Sequence, residues 1–302
     1  MLSYLHSFHA GNHADILKHV TLLYTLLYFN KKDKPYTVFD THSGRGLYDL
    51  ESESALKTGE AKNGICRLLQ DFEQQGKCPE GLVPYIDFVK DSLKKGFYPG
   101  SPAIEKSFIK EAGTLFLTEL HKTEYDILIS SIKSLEGGRI SVHVENKDGF
   151  AFLSGNTPPV VKRGFILCDP SYEEERDYFR AAEILSAVHK KWSGATILLW
   201  YPLLANRAEE IENMKQSVLA TVKNRDSHTE ILDASLLVDS PESHVETILS
   251  ESIGNSRPRL YGSGMFVVNP CWGLDVHLKS VLPYLSELLG REGNGDFSVS
   301  ML

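Results

Sequence analysis

The 302-residue chain reads as an α/β protein, a mostly parallel sheet wound on both faces by helices. Three observations predict this. Short β-rich apolar runs recur along the chain. Several are almost continuously apolar, as parallel strands buried on both faces are. Longer helix-period stretches separate them.

The first element is a helix. Asn12 is a plausible N-cap with Asp15 at the capping-box position, and Ile16, Val20, Leu23 and Leu27 follow at helical spacing. Its entry, His6-Ser7-Phe8-His9-Ala10-Gly11-Asn12-His13, is unusually rich in histidine. Strands are predicted at Tyr36–Asp40, Thr114–Glu119, Ile140–Glu145, Gly164–Asp169, Ala195–Tyr201, Thr229–Val238 and Met265–Asn269. Helical stretches include Thr123–Leu135, Glu173–Trp192 and Ala205–Val222. The interval from Asp40 to Thr114 breaks the rhythm, because a βαβ unit needs only about thirty residues. Its excess holds two helical patterns, about 54–71 and 80–95, joined by Gln75-Gly76-Lys77-Cys78-Pro79. The expected organisation is therefore one domain from 1–50 and 98–302, with 51–97 as an inserted helical subdomain. The Gly-rich residues after Gly290 read as a loosely held tail.

Bulk properties narrow the function classes. A hydrophobic content of 42% suits a soluble enzyme, and a net charge of −8 offers no global field for nucleic acid. Basic residues cluster only locally, at Lys31-Lys32-Asp33-Lys34, Lys94-Lys95, Lys162-Arg163 and Lys190-Lys191. The four cysteines form no CxxC pair, which suits free thiols in a cytoplasmic protein. The Val20–Phe29 run is shorter than the ~20 residues a bilayer requires. No acidic or cysteine cluster accompanies His6, His9 and His13, so no metal is expected, and no membrane association.

Four segments carry candidate chemistry. In Val38-Phe39-Asp40-Thr41-His42-Ser43-Gly44-Arg45-Gly46 a strand runs into a glycine-containing loop, where backbone can approach a ligand; a plain turn accounts for it equally well. Glu119, at the tip of the second strand, is placed to accept hydrogen bonds from two ribose hydroxyls. Asp148-Gly149-Phe150 follows the third strand, where a carboxylate can meet the amine edge of an adenine ring. The strongest segment is Gly164-Phe165-Ile166-Leu167-Cys168-Asp169-Pro170-Ser171-Tyr172. The lone pair of an exocyclic amine is delocalised into its ring. Two acceptors, the Asp169 carboxylate and the Pro170 carbonyl, would hold its N–H groups and aim that lone pair at a methyl donor. Tyr172 would stack on the unstacked base. Asn269-Pro270-Cys271-Trp272 has the same form, but in a doubly wound sheet the first and fourth strands flank the ligand crevice and the last lies away from it.

With these residues in view, the sequence resembles the bacterial 23S rRNA (adenine-N6)-methyltransferases of the RlmJ type. The resemblance rests on Met1-Leu2-Ser3-Tyr4 with the His6–Asp15 entry, Leu17-Lys18-His19, Asp40-Thr41-His42, Tyr98-Pro99-Gly100-Ser101-Pro102, Thr118-Glu119-Leu120-His121 and Asp169-Pro170-Ser171-Tyr172. Trp200-Tyr201-Pro202 and Ser263-Gly264-Met265 extend it over nearly the whole chain. It implies a Rossmann-like S-adenosylmethionine-dependent methyltransferase fold with an inserted small helical subdomain. It also implies S-adenosylmethionine held by His19, His42, Ser101, Glu119, Asp148 and Gly149, Asp169 as catalytic acceptor, Tyr4 against RNA, and an N-terminal segment folding over the cofactor. The partner implied is 23S rRNA, with a monomer favoured and oligomeric state otherwise open. Ser171 and Cys271 stand where the family carries a second proline. The alternatives are a DNA adenine or protein amide methyltransferase, or a non-enzymatic nucleic-acid-binding, external-DNA-utilisation factor with the same fold.

Overall fold

The computed structural model describes residues 5–110, 112–136, 138–241 and 260–302. A 3-10 turn, His6–Phe8, precedes α1, His13–Phe29. Asn12 caps α1 by accepting from the backbone N–H groups of Ala14 and Asp15. The reciprocal bond of the anticipated capping box is displaced by one residue: the Asp15 carboxylate accepts from Gly11 N–H, while Asn12 N–H donates to the His9 carbonyl.

The chain then runs through β1, Thr37–Asp40, and β2, Leu47–Tyr48. Next come α2, Glu53–Thr58, α3, Glu60–Asn63, α4, Ile65–Gln75, and α5, Val83–Lys94, before β3, Tyr98–Pro99. Gly59 and Gly64 break the first anticipated helical pattern into three pieces. β2 pairs antiparallel with β3, so the excursion leaves and re-enters at one point. Its apolar residues Ile65, Leu68, Tyr85, Ile86 and Val89 share a core with α1, so these helices have no separate interior.

The remaining elements are α6, Ser101–Phe108, β4, Thr114–Thr118, α7, Lys122–Ser134, β5, Ser141–Glu145, α8, Gly149–Asn156, and β6, Gly164–Cys168. They are followed by α9, Glu175–Lys191, β7, Thr196–Leu203, α10, Ala208–Arg225, β8, Ile231–Leu237, β9, Gly262–Val268, α11, Leu274–Leu289, and β10, Asp296–Met301.

The eight-stranded sheet has the order β10-β8-β9-β7-β6-β1-β4-β5. The block β5-β4-β1-β6-β7 is parallel, and β9 runs antiparallel to both neighbours. Alternation along each strand divides the interior. On β6, Phe165 and Leu167 join the α1/α11 layer, whereas Ile166 and Cys168 join the α9/α10 layer. Every β6 residue is buried, as expected of a parallel strand covered on both faces.

The C-terminus departs from expectation. Instead of a loose tail, β10 forms an antiparallel edge pair with β8, Met301 opposite Leu232 and Asp296 opposite Leu237. Phe297 and Val299 alternate inward against the core while their neighbours face solvent. The preceding Gly-rich turn concealed a short period-2 strand. Among the described residues, no helix is long and apolar enough to cross a membrane.

Candidate active site

β1 lies between β4 and β6, and the crossovers leave it in opposite directions, so a crevice opens at the C-terminal ends of these strands. The loop after β1 is clamped there. Thr41 N–H donates to the Leu167 carbonyl and Ser43 N–H to the Thr118 carbonyl. Gly44 has φ 60°, and a Cβ there would lie 2.3 Å from the Tyr48 hydroxyl.

Two cavities occupy this edge. The smaller is lined by His19, His42, Ser101, Glu119, Asp148, Gly149, Asp169 and Pro170, so the residues that the sequence and its resemblance single out for a cofactor converge. The larger, about 600 Å³, is walled by His9, His13, Glu60, Asn63, Trp200, Pro202 and Arg291. Lys18, Asp169, Ser171 and His6 line both. Tyr4 lies outside the described residues.

In the smaller cavity, Glu119 accepts from Gly44 N–H (2.9 Å) on one oxygen and His121 N–H (2.7 Å) on the other. Each carboxylate oxygen keeps a further lone pair. Burial raises the Glu119 pKa, against those two backbone donors. Asp148 caps α8 through Ala151 N–H and takes a hydrogen bond from Arg180 (2.7 Å). The Ser101 hydroxyl donates to Asp40 (2.7 Å). A Cβ on Gly149 would sit 1.8 Å from the Thr41 carbonyl oxygen, so this glycine is also required for packing α8 against the loop. His19 Nε2 and His121 Nδ1 are buried without a hydrogen-bond partner.

Lys18 is the candidate site residue that sequence reasoning missed. Its ammonium lies 2.5 Å from Asp169 Oδ2 and 2.9 Å from Asp15 Oδ1, and its side chain is only 6% exposed. Burial works to lower its pKa, but the Asp15 and Asp169 carboxylates outweigh it and hold the ammonium well above the usual lysine range. The signal was present: a lysine amid Ile16, Leu17 and Val20 on an apolar helix requires a buried partner. Asp15 also takes His6 Nε2 (3.0 Å), and His9 Nδ1 pairs with Glu60 (2.9 Å), which joins the histidine-rich entry to α1 and α3.

Two expectations need correction. Tyr172 does not line either cavity. It adopts φ 51°, a left-handed conformation rare for a bulky residue, which turns its ring into the α9/α10 core 4.5 Å from Tyr178. Its hydroxyl donates to the Trp200 carbonyl (2.8 Å), so Tyr172 anchors the turn, and Trp200 supplies the indole at the larger cavity. Asn269 is excluded for a different reason from position in strand order. β9 runs antiparallel, so its end lies at the opposite edge, where the Asn269 amide donates to the Ser193 and Ala195 carbonyls.

Burial lowers the pKa of His13, His42 and His277 to about 4 and of His19 to about 3, so all four are neutral at pH 7. The unfolded chain takes up these protons near pH 6.5. Their contribution to stability is therefore present above that pH and lost as pH falls through the folded values. Asp40, raised to about 6 by burial, Glu105, raised by burial and by Asp40, and Glu119, raised by burial, act oppositely, but His189 is lowered by burial as well, and the five histidines outnumber the three acids. Each uncompensated proton is worth about 1.4 kcal/mol per pH unit. The unfolding midpoint is expected to fall as pH drops from about 6.5 to about 4. Calorimetry showing a flat or rising midpoint would contradict the neutral, buried assignment.

A sheet of this order, with paired cavities meeting at an Asp-Pro turn after the fourth parallel-block strand, defines the Rossmann-like methyltransferase class. The chain belongs to the RlmJ family of ribosomal RNA large subunit methyltransferases. A family model described as "Ribosomal RNA large subunit methyltransferase D, RlmJ" matches residues 33–302. The chain is similar to "Ribosomal RNA large subunit methyltransferase J" of Escherichia coli (strain K12), 38% identical over 305 residues covering 100% of this chain and 99% of that one. The Haemophilus influenzae protein of the same name is 34% identical over 306 residues, with the same coverage. A crystal structure of a Legionella pneumophila protein superposes with TM-score 0.77 at 29% identity, covering 97% of this chain and 98% of that one.

Proposed function

We propose that the chain methylates the N6 amine of an adenine in 23S rRNA, with S-adenosylmethionine in the smaller cavity and the target base in the larger. The observation that carries this reading is that the two cavities share Asp169, with Lys18 fixed to one of its oxygens.

The donor set of the smaller cavity fits the cofactor. Glu119 retains lone pairs for ribose hydroxyls, and Asp148 and Ser101 offer acceptors on the same wall. When bound, S-adenosylmethionine supplies an electrophilic sulfonium methyl. Lys18 holds Asp169 Oδ2, and Oδ1 makes no hydrogen bond among the described residues, so it is available to the N6 amine. With the Pro170 carbonyl, it would hold the amine with its lone pair toward the smaller cavity. Trp200, in place of Tyr172, supplies the aromatic face. The 51–97 segment contributes Thr58, Glu60 and Asn63, which supports a role for the insertion as a substrate wall.

The deciding experiment is methyl transfer from labelled S-adenosylmethionine to unmodified 23S rRNA, with DNA and protein controls. Labelling at adenine N6 of RNA alone is the expected result; labelling confined to DNA or protein would transfer the reading to that substrate. Glu119→Gln is expected to weaken cofactor binding roughly tenfold, through a weaker acceptor for the ribose. Isothermal titration with S-adenosylmethionine reads this directly, and unchanged affinity would remove Glu119 from the ribose site.

A further inference from the structure

Three of the four basic clusters in the sequence meet at one edge of the fold, opposite the cavities. Lys31, Lys32 and Lys34 precede β1, Lys162 precedes β6, and Lys190 and Lys191 precede β7. All six are exposed. Because these strands are parallel, the segments before them share the sheet's N-terminal edge. Hydrogen bonds tie them together: Arg163 donates to the Lys34 carbonyl (2.8 Å), and the Trp192 indole donates to the Lys162 carbonyl (2.7 Å).

The same edge exposes Trp272, at 82%, and Val160, at 102%. Trp272 arrives there because β9 is antiparallel, and Tyr24 on α1 donates to its carbonyl (3.0 Å). One turn further along α1, the Lys31 ammonium lies 5.3 Å from the Tyr28 ring centroid. The carboxylates on the adjoining segments are Asp33, Asp226, Glu230 and Asp275, the last paired with Lys279 (3.4 Å).

The arginines around the cavities differ from the lysines of this edge in their charge pairing. Around the cavities, Arg45, Arg176, Arg180, Arg207 and Arg291 each pair with a carboxylate. At the opposite edge, none of the six lysines forms an ion pair among the described residues. Unpaired cations beside an exposed indole match phosphates and an unstacked base. In a chain with a net charge of −8, affinity for a polyanion must come from such a local concentration.

We propose that this edge is a second RNA-docking surface, binding the phosphate backbone of the rRNA at a distance from the target adenine. The proposal rests on rRNA being the substrate. Along α1, His13–Phe29, the rise from Lys18 to Phe29 separates the shared cavity wall from this surface by about 16 Å. A short hairpin carrying the target would therefore reach only the cavities, whereas a folded rRNA fragment would reach both.

The test compares the wild type with Lys31→Glu/Lys32→Glu/Lys34→Glu, Lys190→Glu/Lys191→Glu and Trp272→Ala on both RNAs. For the long fragment, KM is expected to rise roughly tenfold in the lysine variants with kcat unchanged. The plot of log affinity against log salt should become shallower by roughly 0.7–0.9 for each phosphate contact removed. Hairpin kinetics and cofactor affinity should not change. Unchanged KM and salt slope on the long fragment would overturn the proposal, as would an equal loss on the hairpin. Retained RNA affinity, with lost binding to an acidic protein partner, would also overturn it. If wild type binds RNA through these lysines but methylates none, the substrate reading fails and the docking surface stands.

Discussion

Asp169→Asn is expected to lower kcat for methyl transfer by about 10²–10³, with S-adenosylmethionine affinity changed only a few-fold. The substitution keeps the shape of the turn but removes the anionic acceptor. Lys18 holds Oδ2 at 2.5 Å, leaving Oδ1 for the amine. An amide must present its carbonyl either to the ammonium or to the substrate, and its NH2 to the other. Single-turnover transfer to rRNA, with cofactor affinity measured separately, checks this. Activity within tenfold of wild type would show that Asp169 is not the acceptor.

Lys18→Met is expected to destabilise the protein by about 3–5 kcal/mol and to reduce transfer at least a hundredfold. The stability loss follows from leaving two carboxylates, Asp15 and Asp169, beside each other without their shared buried cation. Lys18 is a positioning residue, because it acts through Asp169, so its test needs a readout that general destabilisation would not move. In Lys18→Met/Asp15→Asn one orphaned charge is gone, and stability is expected to return in part. Transfer should stay lost, because nothing then holds Asp169 Oδ2. Recovery of transfer in step with stability would reduce Lys18 to a structural role. Lys18→Arg separates charge from reach: it keeps the cation but forces a planar fork into a site built for a point charge.

Much of the sheet was legible because buried parallel strands are continuously apolar and need no partner to be recognised. β6 is the clearest instance, a run of five buried residues ending at Asp169. β10 was not legible, since an edge strand buries only alternate residues and here follows a Gly-rich turn. The β2–β3 pair is two residues a side and carries no periodicity at all.

At the site, the sequence by itself determined which side chains stand at strand ends: Glu119 after β4, Asp148 after β5, Asp169 after β6. Strand termini are local features, readable wherever an apolar run meets a polar residue. Only the tertiary structure decided how those residues are used. It brought Lys18 across from α1 to Asp169, a pairing over 151 positions in the chain that no local pattern encodes. It turned Tyr172 into the core through one left-handed dihedral and put Trp200 at the cavity instead. It reversed β9, sending Asn269 to the far edge, and there gathered three lysine runs separated in sequence into one surface. Strand direction and long-range charge pairing depend on packing the whole sheet, which residue order specifies only through the completed fold.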